Sequence, residues 1–314
     1  MSRISVVVPS FRRTLPLIRC LDGLSCQDRP PDEVLVVVRA DDAPTLRVVR
    51  GSGRPRVRAV EVVAPGVLAA MHAGAAAATG DLIAFTDDDA VPRPDWVRRL
   101  ADHLAEPAVG AIGGRDVIAD ELDAETTDVG RITSWGRLVG NQHLAIGHAR
   151  PVDVLKGVNI AFRRAALALP HELRGRGSHV HWEIAACAWA RARGWRVVFD
   201  PAVVVDHMPA PRPAGDKRAG CARDVRDASF NLVLGIASFH PELVWRRALY
   251  GLLVGDRMTP GVLRGAVGTA RGEMEVGRVT PAALLGQTQA LVAFARGRRL
   301  RMVPVDHTAA ASSS

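Results

Sequence analysis

Three consecutive carboxylates, Asp87-Asp88-Asp89, follow the apolar run 82–85 after a single threonine. A near-continuous apolar stretch of that kind reads as a buried strand. Like charges at its end are no core solution, because they need a metal ion or water to hold them together. On an extended chain, side chains two apart point the same way, so Asp87 and Asp89 can converge on one ion. Hard oxygen ligands suit Mg2+ or Mn2+, which commonly sit against substrate phosphates. A solvated acidic turn is the competing reading, since Asp is a frequent turn residue.

The elements that must position this corner alternate between strand and helix, which predicts an α/β fold with a largely parallel sheet. Residues 4–8 form the first expected strand, closed by Pro9. Thr14 can cap a helix, Pro16 fits its first turn, and Leu17, Cys20, Leu21 and Leu24 recur at helical spacing. Strands are expected at 34–38, 57–63 and 82–85, with a small-residue helix at 68–78 ended by Gly80. Pro94 opens a further helix, with Val97, Leu100, Ala101 and Leu104 on one face. From 109 to 153 only mixed strands and loops are expected. Residues 154–162 alternate, 183–193 read as a helix, 195–199 as a strand, and 203–205 as a short last strand before Asp206-His207.

A chain of 314 residues with 48% hydrophobic content can bury a sizeable core. It contains no apolar run long enough to span a membrane, and its first expected strand leaves no room for a signal peptide. Cys20, Cys26, Cys187 and Cys221 show no CxxC spacing, so neither a zinc site nor a disulfide framework is implied. The expected location is cytoplasmic, with a peripheral position on the inner face of the cell membrane as a refinement.

The net charge of +8 is concentrated late in the chain. Between 221 and 301, twelve arginines stand against six acids, a net of +6. Nucleic-acid binding would call for a basic face interleaved with aromatics, yet aromatic content is 4%, so no nucleic-acid partner is expected. Solvated arginine and attraction to anionic lipid are the two remaining explanations. The proline-rich stretch 209–213 is the candidate linker. The expected organisation is therefore a catalytic unit at 1–208, a helical region at 209–306, and a disordered Ala/Ser tail at 307–314. In the helical region Phe230, Leu232, Val233, Leu234, Ile236 and Phe239 form one apolar cluster. Trp245, Leu249, Leu252, Leu253 and Val254 form another, beside Arg246-Arg247. Packing on the catalytic unit explains both most simply; an interfacial helix facing a membrane is the second reading.

Several unlinked segments occur in a familiar order: Val6-Val7-Val8-Pro9-Ser10-Phe11, the strand 34–38 followed by Asp41-Asp42, Thr79-Gly80-Asp81 leading into 85–89, and Pro94-Asp95-Trp96. Together they resemble family 2 glycosyltransferases with the GT-A fold, over residues 5–207. The resemblance implies that Pro9, Ser10 and Phe11 hold the base of a nucleotide-sugar donor and that Asp41 or Asp42 recognises it. Arg39 and Ala40 depart from the family pattern there, and His72 stands where an Asn is more usual. Asp87, Asp88 and Asp89 match the DxD region, Asp87 near the donor ribose and Asp89 on the metal, with His207 as a further ligand. A divalent cation, Mg2+ or Mn2+, would stabilise the charge on the departing diphosphate. An inverting transfer also needs a base for the acceptor hydroxyl. The family's Glu-Asp pair falls on Trp182-Glu183, making Glu183 the candidate, with His179 and His181 nearby; helix capping is the plainer role for that carboxylate. Trp135, His143, Lys156, Gly157, Asn159 and Trp182 fall on the acceptor side, the acceptor being a glycan, a lipid-linked sugar or a small molecule bearing a hydroxyl.

A dinucleotide oxidoreductase would share the opening strand–helix pattern, but Pro9-Ser10-Phe11-Arg12-Arg13 lacks the glycines that let a helix approach a pyrophosphate. A phosphatase using a nucleophilic Asp would lack the surrounding donor pattern. A sugar-nucleotide-binding protein with impaired catalysis is the remaining alternative, given Arg39 and Trp182 at atypical places.

Overall fold

A computed structural model of the chain describes residues 2–118, 125–175, 181–210 and 221–306. The chain opens with β1 (Ile4–Ser10), α1 (Thr14–Ser25), β2 (Glu33–Arg39), α2 (Ala43–Arg50), β3 (Val57–Val62), α3 (Val67–Ala77) and β4 (Leu82–Thr86). It continues through β5 (Ala90–Pro92), α4 (Trp96–Ala105), β6 (Val109–Val117), β7 (Arg131–Ile132), β8 (Leu138–Val139), β9 (Arg150–Pro151), β10 (Asn159–Arg163), β11 (Ala168–Pro170), α5 (Trp182–Ala192) and β12 (Arg196–His207). The remainder is α6 (Ala222–Phe239), α7 (Val244–Leu253), α8 (Val262–Ala270), α9 (Met274–Ala295) and β13 (Met302–Pro304).

The main sheet runs β3-β2-β1-β4-β10-β6-β12-β5, with β9 beside β12. The β1, β2, β3 and β4 pairings and the β6–β12 pairing are parallel, whereas β10 runs antiparallel to both β4 and β6. Both faces of the sheet are covered, as the continuous apolar strands require. Along β1 the side chains alternate: Val6 and Val8 join Leu17, Leu21 and Trp96 on one side, while Val7 joins Leu35, Met71 and Phe85 on the other.

Three features depart from the sequence expectation. The helix α2 was signalled by Asp42 and Pro44 but not anticipated; Asp42 is its N-cap and accepts from the Thr45 backbone N–H at 3.3 Å. The nine-residue β6 lies where only mixed structure was expected, because Gly110, Gly113 and Gly114 weaken the strand signal. Packing explains those glycines: a Cβ at Gly114 would lie 1.8 Å from the Val203 carbonyl oxygen of the adjacent β12. Finally, the strands expected at 195–199 and 203–205 are merged into one, β12, which begins at Arg196 and whose register against β6 slips between Asp200 and Val204.

The carboxyl-terminal helices pack on one another and, through α6, on α5 and the segment before β10. Leu232 and Ile236 of α6 meet Val154 and Ile184, the latter in α5, and Phe230, Val233 and Leu234 meet α9. The strand β13 then pairs with β11, Ala168 opposite Pro304. The second apolar cluster behaves differently: Trp245, Leu249, Leu252 and Leu253 stay exposed, while Arg247 beside them is buried. The tail at 307–314, His179, and residues 211–213 of the proline-rich stretch lie outside the described residues. Among those residues no helix is long and apolar enough to cross a membrane.

Candidate active site

The strand β4 delivers Asp87 to the edge of a cavity of about 1240 Å³. The acidic run is a turn rather than an extended segment, with the Ala90 N–H donating to the Asp87 carbonyl at 3.2 Å before the chain doubles back as β5. The turn still brings Asp87 and Asp89 together with His207, at the end of β12: one ligand atom from each lies within 4.8 Å of the others. β5 pairs with β12 so that Ala90 faces His207, which fixes this convergence in the backbone.

Asp88 turns the other way, into the protein. Its carboxylate accepts from the Ser10 hydroxyl at 2.7 Å and from Arg13 Nη1 at 3.0 Å. The same guanidinium nitrogen donates to Asp89 Oδ2 at 3.0 Å, and Arg13 Nη2 donates to the Ala210 carbonyl. The Ala210 N–H in turn donates to Asp89 Oδ2 at 2.9 Å. Arg13 occupies the N-cap position of α1 and makes no side-chain cap there, so Thr14 is not the cap.

Burial pushes the Asp88 carboxyl up to about 7, with the neighbouring Asp89 charge adding to the shift against the pull of Arg13 and Ser10. Burial acts on Asp89 in the same direction, but His207, the Ala210 N–H and Arg13 overcome it and hold that carboxylate below its ordinary range. His207 Nε2 lies 3.5 Å from Asp89 Oδ1, and its Nδ1 lies 3.6 Å from Asp116 Oδ2. Burial works against the imidazolium, yet Asp116, Asp89 and Asp87 push it up to about 9. Asp116, at the end of β6, is wholly buried, forms an ion pair with Lys156, and leaves its Oδ1 without a partner.

These residues fit a divalent ion. Two carboxylates and an imidazole form a hard-to-borderline donor set, which Mn2+ and Mg2+ accept. Asp116 behind the imidazole is the kind of outer carboxylate that fixes which ring nitrogen faces a metal.

On the donor side Pro9, Ser10 and Phe11 line the cavity, as do Arg12, Arg13 and Arg39. Two guanidiniums lie over the Phe11 ring, Arg39 at 4.4 Å and Arg12 at 4.9 Å from its centroid. Asp41 and Asp42 do not reach this space. Asp41 is exposed and pairs with Arg39, and Asp42 is buried as the α2 cap, where it also accepts from the Arg12 N–H at 2.5 Å. That bond holds Arg12 at a φ of 54°. His72 is likewise turned away, its Nε2 lying 2.9 Å from the Pro170 carbonyl.

Trp182, Glu183, His181, Lys156 and Gly157 also line the cavity. Glu183 sits in the first turn of α5, whose N-cap, His181, has a φ of 77°. Burial lowers the His181 imidazole to about 4, and its Nε2 has no hydrogen-bond partner. Trp182 packs edge-on against Phe85, with ring centroids 5.7 Å apart, and presses on Gly157, where a Cβ would come 2.9 Å from its Cζ2. Asn159 is a core residue rather than a cavity residue. Its Oδ1 accepts from Trp96 Nε1 at 2.8 Å, and its Nδ2 donates to the carbonyls of Arg115 and Val203. Trp135 also lies outside the cavity, edge-on to Trp245 at 6.1 Å.

Sequence reasoning missed Arg13 and Asp116. Arg13 gave a signal, a basic residue just past the first strand, but nothing along the chain links it to carboxylates 75 residues away. Asp116 acquires meaning only once β6 lies beside β12.

A mostly parallel sheet whose central strand ends in carboxylates beside a large cavity is the GT-A arrangement of sugar-transferring enzymes. A mannosyltransferase from Pyrobaculum calidifontis, solved with GDP-Man and Mn2+, has a similar fold, with a TM-score of 0.54 at 20% identity over 94% of this chain and 86% of that one. In sequence, an N-acetylglucosaminyltransferase from Rhizobium leguminosarum bv. trifolii is 29% identical over 131 residues, 40% of this chain and 72% of that protein. A glucosyl-dolichyl phosphate glucuronosyltransferase from Haloferax volcanii is 36% identical over 93 residues, 29% of each chain. Residues 2–226 match the family described as Glycosyltransferase like family 2. The chain belongs to that family and is a glycosyltransferase.

Proposed function

We propose that this chain is a metal-dependent, inverting transferase that moves a sugar from a nucleoside-diphosphate donor to a hydroxyl acceptor. The observation that carries this reading is the meeting of Asp87, Asp89 and His207 at a cavity that Glu183 also lines. The ribose and diphosphate of the donor fit between Phe11 and the acidic turn, where Arg12, Arg13 and Arg39 offset phosphate charge. Asp87, Asp89 and His207 would hold Mn2+ or Mg2+. When bound, the ion neutralises charge that grows on the leaving diphosphate. Asp116, 3.6 Å from His207 Nδ1, supports the imidazole through its charge. Glu183 takes the proton as the acceptor oxygen bonds to the anomeric carbon, and the nucleoside diphosphate leaves with the electrons of the broken bond. Trp182, Lys156 and Gly157 border the acceptor space.

Donors and acceptors of the similar proteins differ, from GDP-mannose to a dolichyl-phosphate-linked sugar, so the sugar and base are best read by assay. A panel of UDP, GDP and dTDP sugars with Mn2+, Mg2+ or EDTA should show donor consumption that chelation abolishes. Unchanged turnover in EDTA would sink the metal role. Replacing Glu183 with Gln should leave nucleotide binding within about twofold while lowering transfer by about 10²–10⁴-fold. Near-normal turnover by that variant would remove Glu183 from the chemistry.

A further inference from the structure

The helices α7 and α8 wear their amphipathicity inside out. Along α7, Trp245, Leu249, Leu252 and Leu253 follow the spacing of one helical stripe, and each is at least 41% exposed. The opposite face holds buried Arg247 and Gly251, the latter tight against Gln287 of α9. In α8 the inward residues are Gly265 and Gly268, which lie flush on Thr280 and Val276 of α9. Val262, Leu263 and Val267 therefore point outward, 47%, 55% and 50% exposed. The two stripes meet where Gly261 abuts the backbone of Leu252 and Leu253. Contiguous apolar surface of this kind on a water-facing helix pair marks an interaction site.

Its position and charge identify the partner. Met258, in the turn between the two helices, is 46% exposed and also lines the catalytic cavity. Trp135 packs edge-on against Trp245, and Leu138, on the same hairpin, lines the cavity as well. The apolar stripe thus runs up to the cavity rim at two places. Residues 244–271 contain five arginines and one acid, Asp256, a net of +4. Asp256 is already paired with buried Arg247, which leaves exposed Arg257, Arg264 and Arg271 without an acidic residue in the segment. Two copies meeting through this face would bring like charge onto like charge. An anionic bilayer, by contrast, takes tryptophans and leucines at the headgroup boundary and arginines against its phosphates.

We propose that the α7–α8 face docks on an anionic membrane and sets the cavity mouth against the headgroups. Resting on the transferase reading above, the acceptor is then an amphiphile: its hydroxyl-bearing head enters past Met258 while its tail stays in the lipid. The test is flotation of the full-length protein with vesicles of phosphatidylcholine, with and without phosphatidylglycerol. Wild type should float with the anionic vesicles only, and about 0.5 M salt should release it. Leu249→Glu/Leu253→Glu should lower the vesicle-bound fraction at least tenfold, and Arg257→Glu/Arg264→Glu should do likewise. Both variants should keep wild-type, Mn2+-dependent donor consumption in solution, because these side chains lie outside the cavity. No flotation, or equal flotation of wild type and variants, overturns the proposal. So does a dimer on size exclusion that Leu249→Glu/Leu253→Glu dissociates, since a second copy would then cover the face. Lipid binding without donor consumption would support the surface and sink the transferase reading instead.

Discussion

At the acidic corner, Arg13 answers two carboxylates at once, and its removal should be felt in two measurements. Arg13→Ala strips a shared partner from Asp88 and Asp89, which are almost fully buried. Breaking a fully buried pair costs about 3–5 kcal/mol; with Arg13 partly exposed, we expect about 2–3 kcal/mol and a Tm several degrees lower in EDTA. Added Mn2+ should then raise Tm more in the variant than in wild type, because the ion offsets charge the arginine no longer covers. Equal Mn2+ shifts in the two proteins would refute this account of the corner. His181 gives a separate pH signature. Its folded pKa, about 4, lies below the ordinary 6.5, so its neutral form favours the folded state. That contribution is complete above pH 6.5 and is lost as pH falls toward 4, worth up to about 3 kcal/mol. His181→Asn keeps a side chain that tolerates positive φ and removes the titration. Chemical denaturation at about pH 7 and 4.5 should show a smaller loss of stability in the variant than in wild type.

At the scale of elements, side-chain hydrogen bonds tie the central strands together. Asn159 links β10 to Trp96 of α4 and to the carbonyls of Arg115 in β6 and Val203 in β12. Asn159→Ala orphans one donor and two acceptors in the core, each costing about 1–3 kcal/mol, so at least about 3 kcal/mol should disappear in urea titration. The acceptor KM of the remaining folded enzyme should stay unchanged; a raised KM with intact stability would return Asn159 to the acceptor site. The sequence made the apolar strands and the helix containing Glu183 visible through period and punctuation. It hid β6, because glycines demanded by β12 look like breakers until the neighbouring strand is known. It also suggested an extended acidic run where β5 turns the chain back, since three aspartates suit a turn and a metal corner equally well.

Across the whole molecule, the family pattern was readable because its segments keep their order, and the fold follows from that order. The candidate ligand positions Asp87, Asp89 and His207 could be named from the chain alone, and the structure brings them together. Asp41, Asp42, His72, Trp135 and Asn159 could be placed near the right segments, but not in the cavity, because side-chain direction depends on partners distant in sequence. The split of the carboxyl-terminal apolar clusters into a packed α6 and a bare α7 was equally hidden: both have helical period, and the partners α5 and α9 decide which face is covered.

The pairing of β13 with β11 has a consequence for synthesis. β11 leaves the ribosome well over a hundred residues before its partner, since Ala168 waits for Pro304. Until then β11 stands with an open edge, because β13 is the only other strand of its sheet. A nascent chain stalled after α9 should therefore recruit a holding chaperone at that edge, and release of the last few residues should dismiss it.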